Sequence, residues 1–392
     1  MSRPEPSDIK FANTFTYESI EKFYPKVKFF ENSRINTKNG MRVYELFTPR
    51  NLLALSELYN EINNLKDTKI RDLFRLCFTG ALGQSSKMVF VIKRRSKNGK
   101  SGQVNKQVGS WVIGYWIPDE NFEINVWNCF ENRFKRILKA KTELSDKDYK
   151  LNFANSYDEL NKNKNISLKN TPAQLELKKL PDDSVDYVIT DPPHGNRQPY
   201  LELSTMWNSW LDFDVNFKDE IVISGAKDRD KDVEDYIKLL EEAFSEIVRV
   251  LKPQHYFSLM FNSMDDQTWL RLFKILHNLN LKFTKIETLD YSANSVVQDT
   301  RKSGLQTDFI MTFKKIQNPK SNNNVNYEID ENKITKLVDQ AFVESETKEL
   351  RTFEILNYIF KQCFYGNEFI SIDKVVNVLK ENYTIKDNYW RR

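Results

Sequence analysis

Cysteine is scarce in this chain, three in 392 residues, and Cys77, Cys129 and Cys363 stand far apart without paired spacing. That excludes a disulfide framework and a cysteine-based zinc site, so no metal is expected, and it fits a reducing, cytoplasmic setting. Long apolar runs are missing, as is any amino-terminal signal pattern, so a soluble protein away from the membrane is expected. An excess of one charge is missing too: 59 Lys and Arg face 55 Asp and Glu, for a net charge of +4. A broad cationic field is thereby excluded, and a polyanionic partner would have to be met by local clusters.

What is present centres on Val185 to Trp210, V-D-Y-V-I-T-D-P-P-H-G-N-R-Q-P-Y-L-E-L-S-T-M-W-N-S-W. Val185, Tyr187, Val188 and Ile189 form a short apolar, β-branched run, the pattern of a buried strand in a parallel sheet. Pro192 and Pro193 cannot continue a ladder, and Gly195 follows, so the strand ends in a rigid loop. In open α/β sheets ligands bind at the carboxyl ends of strands. Asp191 is placed at that lip with its carboxylate toward a cleft, and His194 lies three residues on.

The remainder divides by pattern. Residues 1–80 read as an N-terminal helical region, in which Thr48 caps and Pro49 opens a helix bearing Leu52, Leu55, Leu58, Tyr59 and Ile62 at helical spacing. A second helix is expected from Ile70 to Gly80. Residues 81–164 carry two β-rich runs, Met88 to Ile92 and Trp111 to Ile117, which read as a long inserted hairpin. An amphipathic helix from Asn125 to Leu138 and a polar linker to Lys164 follow. From Ser86 to Ser110 there are seven basic residues and no acid. Lys93, Arg94, Arg95, Lys97 and Lys100 are candidates to follow a phosphate backbone, with a solvated loop as the equal alternative. Residues 165–317 hold the Asp191 stretch, then a helix (Val233 to Leu251), a strand (Tyr256 to Phe261), a helix (Asp266 to Leu279) and two strands (Phe283 to Leu289, Asp308 to Phe313). A short strand is also expected at Ile166 to Leu168. Residues 318–392 read as a linker and a small helical or winged-helix-like module.

Asp191-Pro192-Pro193-His194 resembles the D-P-P-Y signature of the DNA amino-methyltransferases, which methylate the exocyclic amine of adenine (N6) or cytosine (N4). The segments L-F-T-P-R-N-L-L and Y-L-E-L-S-T-M-W look like a subgroup of these enzymes, and the resemblance covers most of residues 40 to 316. It implies an α/β fold, a partial Rossmann-like sheet of the S-adenosylmethionine-dependent methyltransferases whose last two strands are antiparallel. The chemistry explains the residue types. An exocyclic amine is a poor nucleophile because its lone pair is delocalised into the ring. A carboxylate and a rigid backbone carbonyl that accept its hydrogens free that lone pair and stabilise the charge that develops on transfer.

The resemblance further implies that Asp191, Pro192 and Pro193 grip the amine and that His194, in place of the usual Tyr or Phe, stacks on the flipped base. Asn170 stands where the family has an acidic residue bordering the cofactor, S-adenosylmethionine, with Asp191 on its other side. Arg301 and Lys302, between the last two strands, are read as approaching the target nucleotide or as a plain connecting loop, and Arg50 as a phosphate or substrate contact or a plain helix-start arginine. Phe78 to Gly83, F-T-G-A-L-G, looks superficially like the family's glycine-rich cofactor loop, F-x-G-x-G. It follows a helical pattern instead of a strand and is rejected. Without that half of the fold the sheet would expose a hydrophobic edge. The implied partner is double-stranded DNA, and three explanations stand for the missing half: a second polypeptide that supplies the glycine-rich motif, a fragment that has lost activity, or a cofactor held by a diverged segment. The expected activity is N6-adenine methylation in a modification or restriction-modification system. N4-cytosine methylation, a non-catalytic or split-enzyme subunit, and methylation of RNA or of a protein glutamine are the alternatives.

Overall fold

The helix expected behind Thr48 is present. In the computed structural model, which describes residues 5–95, 104–111, 114–145, 151–160, 162–263, 266–289, 308–317, 330–345, 349–366, 368, 370–386 and 389–392, a short helix α1 (Pro6–Ala12) precedes α2 (Pro49–Asn63). Thr48 Oγ1 accepts from the Asn51 amide at 3.2 Å and Pro49 fills the first helical position. α3 (Thr68–Leu82) is capped by Asp67, whose carboxylate accepts from the Lys69 and Ile70 amides. It absorbs most of F-T-G-A-L-G: Phe78, Ala81 and Leu82 are buried in its last turns, so that stretch is helix and not a ligand loop.

β1 (Val91–Arg95) and β2 (Val104–Val108) pair antiparallel, Val91 opposite Val108. This corrects the expected hairpin. The basic run Lys93, Arg94, Arg95 lies in the first strand itself, and no described residue of Trp111 to Ile117 is in a strand. Packing at Gly109 is the reason: a Cβ there would meet the Phe90 ring at 2.5 Å, and past it the Tyr115 amide bonds the Ile35 carbonyl at 2.7 Å instead of a strand neighbour. α4 (Val126–Ser145) runs past the expected end at Leu138. The i,i+4 pair Glu131–Lys135 (3.1 Å) lies in the expected part, and Lys139–Glu143 (3.7 Å) supports the polar extension.

Two units result. The first is Met1–Asn152, Pro199–Glu220 and Ser224–Lys231; the second is Phe153–Gln198, Ile221–Ile223 and Asp232–Arg392. The four segments expected from sequence are gathered in pairs, with an excursion after the Asp191 loop joining the first unit. That unit's core unites Leu52, Leu55, Tyr59, Phe78 and Phe130 with Met206 and Trp210 of the excursion.

The second unit opens with a parallel bridge from Ile166 to Phe153 in place of the expected short strand. α5 (Ala173–Glu176) and β3 (Val185–Thr190) follow, then α6 (Tyr200–Leu203) and α7 (Thr205–Trp210) in the excursion. α8 (Val233–Val250), β4 (Leu251–Phe261), α9 (Asp266–Asn278), β5 (Leu281–Thr288) and β6 (Phe309–Lys315) complete the sheet layer. The strand order is β3-β4-β6-β5, with β3 and β4 parallel and β6 antiparallel to both its neighbours. This is the second half of the sheet expected from the sequence. Phe257, Leu259 and Phe261 of β4 and Phe309, Met311 and Phe313 of β6 share one face, buried with Leu240 and Phe244 of α8 and Trp269 and Leu272 of α9. Each such phenylalanine contributes roughly 1.5–3 kcal/mol by leaving water.

Side chains alternate across a sheet. Tyr187, Ile189 and Tyr256 therefore share the other face, where they are 51%, 62% and 40% exposed. Among the described residues β3 pairs with β4 alone, so its outer edge keeps unpaired backbone groups. The last part of the chain comprises α10 (Glu331–Glu344), β7 (Glu349–Leu350), α11 (Thr352–Gly366), α12 (Ile372–Asn382), β8 (Thr384–Lys386) and β9 (Tyr389–Arg391). It packs on the sheet: the Phe364 ring stacks on Phe283 at 4.9 Å and Phe360 lies 5.3 Å from Trp269. No helix among the described residues is long and apolar enough to cross a membrane.

Candidate active site

β3 ends at Thr190, and the next residue projects into solvent because the chain turns sharply behind it. Pro192 is buried and Gly195 adopts φ +64°, a left-handed conformation that glycine takes without strain. Two bonds hold the turn from within. The Tyr236 hydroxyl donates to the Pro193 carbonyl at 2.8 Å, and the Ile223 amide donates to the Gly195 carbonyl at 3.2 Å. Tyr236 is wholly buried on α8, and burial pushes its phenol well above the usual range, so it stays a donor.

On this frame the Asp191 side chain is 60% exposed, whereas that of His194 is only 10% exposed. The His194 ring packs edge-to-face on Phe261 at 4.9 Å. Its Nδ1 lies 3.0 Å from Arg197 Nη1 and its Nε2 lies 3.0 Å from Asp191 Oδ1. Arg197 in turn stands 3.7 Å from Asp308. Burial first, then the Arg197 guanidinium, lowers the His194 pKa, against the pull of Asp191, Asp308 and the Met260 carbonyl. The ring is therefore neutral at physiological pH. Of the four motif residues, Asp191 offers free acceptor atoms, the Pro193 carbonyl already has a donor, and His194 shows little of its face.

The other sequence candidates are dispersed. Asn170 is exposed on the segment before α5, and among the described residues no hydrogen bond or ion pair joins it to Asp191. Lys93 projects from β1 to Glu120 at 2.6 Å, and Lys106 meets the same carboxylate at 3.1 Å. Of Arg94 and Arg95 only the backbone course is described, and Lys97, Lys100, Arg301 and Lys302 lie outside the described residues. Arg50 makes paired bonds to Glu123 (Nε–Oε1 3.2 Å, Nη2–Oε2 2.5 Å), which also accepts from Thr48 Oγ1 at 2.6 Å. Burial would raise the Glu123 pKa, but these bonds outweigh it and hold the carboxylate below its usual range. Hollows of about 490, 990 and 640 Å³ open in the first unit, none of them lined by the Asp191 loop. Sequence reasoning missed Tyr236, Arg197, Phe261 and Asp308. Only Arg197 carried a signal, three residues from His194; the others come from distant parts of the chain.

A strand ending in an exposed aspartate, two prolines and a left-handed glycine, with α8 buttressing the turn, is a geometry for presenting one carboxylate. Residues 185–385 match the family model for DNA methylases, starting at the first residue of β3.

The chain belongs to the DNA methylase family.

Among solved structures, this DNA methylase family member is similar to a provisionally assigned DNA modification methylase from Thermus thermophilus. Identity is 12%, covering 44% of this chain and 61% of that one, with a TM-score of 0.20. The same Thermus protein complexed with S-adenosyl-L-methionine gives 15% identity, 44% and 62% coverage and a TM-score of 0.18. The PvuII cytosine-N4-specific DNA methyltransferase gives 11% identity, 53% and 89% coverage and a TM-score of 0.26. The chain thus spans about three fifths of the first of these proteins. No curated protein matches it.

Proposed function

We propose that this chain presents the target base in a DNA amino-methyltransferase that moves a methyl group from S-adenosylmethionine to an exocyclic amine. Adenine N6 is the preferred target and cytosine N4 the alternative. The observation that carries the reading is the Asp191 carboxylate, open to solvent at the carboxyl end of β3 on a turn fixed by Pro192, Pro193 and the Tyr236 bond. Asp191 accepts one amine hydrogen, and the Pro192 carbonyl, which meets no donor among the described residues, accepts the other. Pro193 acts by stiffening the turn, its own carbonyl being held by Tyr236. The two acceptors localise the lone pair and stabilise the cation that forms, so the chain's contribution is positioning and fixed electrostatics. After transfer the surplus amine proton passes to solvent, on the side where the exposed Asp191 side chain holds it. For DNA, the β1–β2 hairpin with Lys93, Arg94, Arg95 and Lys106 is the proposed backbone contact.

S-adenosylmethionine supplies the methyl group when bound, but the described residues of this chain do not fit the whole of it. Upstream of Asp191 no described glycine turn leads directly from a strand into a helix, and F-T-G-A-L-G belongs to the end of α3. Asn170 and Asp191 border only part of such a ligand. The open edge of β3, with Tyr187 and Ile189 exposed beside it, supports the split-enzyme reading, in which a second polypeptide carries the glycine-rich loop. Titration calorimetry of the isolated chain with S-adenosylmethionine tests this part, and no heat is expected. Nucleoside analysis of DNA treated with the assembled enzyme tests the target: N6-methyladenine is expected, and N4-methylcytosine alone would reverse the preference.

A further inference from the structure

We infer that His194 is a positioning residue that orients the Asp191 carboxylate, with its tautomer set by Arg197. This rests on the reading of Asp191 given above. A guanidinium has only donors, so His194 Nδ1, 3.0 Å from Arg197 Nη1, must accept. In the neutral ring the proton is then on Nε2. That atom is buried and lies 3.0 Å from Asp191 Oδ1, yet the approach falls short of hydrogen-bond geometry, and the Met260 carbonyl is the other acceptor that faces the ring. A buried N–H without an acceptor is unfavourable, whereas the Asp191 side chain is 60% exposed and free to turn. The carboxylate therefore rotates to take the Nε2 proton on Oδ1, which aims its other oxygen outward at the target amine. The edge-to-face contact with Phe261 at 4.9 Å holds the ring in this attitude, and with a tenth of its side chain exposed it offers little stacking surface. Arg197 and Asp308, 3.7 Å apart, extend the line of polar groups behind it. Burial and Arg197 keep the ring uncharged, so the tautomer is not erased by protonation at neutral pH.

The full chain, labelled with 15N-histidine, gives a direct test. It has three histidines, His194, His255 and His277, and the His194→Gln spectrum assigns the first. Long-range proton–nitrogen spectra between pH 6.5 and 8 are expected to show His194 neutral, with the Nε2–H form outweighing the Nδ1–H form at least tenfold. The Arg197→Met variant is expected to lose most of that preference. A wild-type ring that is mainly Nδ1–H, or a tautomer ratio unmoved by Arg197→Met, overturns the inference. Methyl transfer by the assembled enzyme separates positioning from stacking. His194→Gln keeps a donor at the Nε2 position and should retain activity within about tenfold, while His194→Phe keeps the ring and should lose more than a hundredfold. The reverse order overturns the inference. The tautomer needs neither DNA nor cofactor, so its failure is distinct from failure of the amine-gripping role, which is read from Asp191 variants.

Discussion

Replacing Tyr236 by phenylalanine removes one oxygen and leaves the ring in place among Leu240, Phe257 and their neighbours. The loss falls on the Pro193 carbonyl, whose donor is that hydroxyl at 2.8 Å. The site is part-buried, so the about 1–3 kcal/mol that a fully buried unpartnered acceptor costs is an upper range, and each 1.4 kcal/mol or so is a factor of ten in an equilibrium. Opening of the loop from Asp191 to Gln198 should become several-fold more frequent, with roughly a hundredfold as the upper end of that scale. Hydrogen exchange of a peptide covering those residues reads this directly, with a peptide from α2 as the internal control. In the assembled enzyme the same variant should lower the rate of methyl transfer more than it weakens DNA binding, because geometry is lost while contact area is not. The reasoning is refuted if Tyr236→Phe leaves the loop's exchange unchanged, for then the hydroxyl does not hold the turn.

Further expectations concern stability and reactivity. Arg229 is buried between Glu202 (3.0 Å) and Glu220 (2.6 Å) in the first unit, with its guanidinium over the Phe217 ring at 4.7 Å. Arg229→Met leaves two buried carboxylates and should cost about 3–5 kcal/mol in denaturant unfolding. Adding Glu202→Gln and Glu220→Gln should recover most of that. Since the native pKa of His194 is lowered, the unfolded chain binds its proton first as pH falls below about 6.5. Stability should therefore be complete above that value and decline below it until the native ring also titrates, and His194→Gln should flatten that part of a pH–stability curve. Burial raises the thiol pKa of Cys77 and Cys129 and pushes that of Cys363 up to about 12. A thiol reagent at pH 8 should find no fast-reacting group in the folded chain and three after unfolding.

The site's backbone was legible because its signals are local. A β-branched run, two prolines and a glycine specify strand, stop and turn within a dozen residues, and the order of helices and strands after them follows from periodicity. The hairpin register was not legible, because the contacts of Gly109 with Phe90 and of Tyr115 with Ile35 lie outside any strand pattern. The length of α4 was misread for another reason: its extension is polar, with the charge pair Lys139–Glu143 along it, so it resembled a linker. The turn's buttress is separated from Pro193 by 43 positions, and no propensity reports such a contact. The Arg229 cluster was hidden likewise: its charges sit in segments that look solvated and become buried only by meeting each other.

The account stands on Asp191 gripping the amine. The measurement that reaches it most directly is transfer of labelled methyl from S-adenosylmethionine to duplex DNA by the assembled enzyme with Asp191→Ala, alongside DNA binding by the same protein. Transfer should fall by at least a thousandfold while binding stays within a few-fold of the unaltered enzyme. Transfer at an undiminished rate would contradict it.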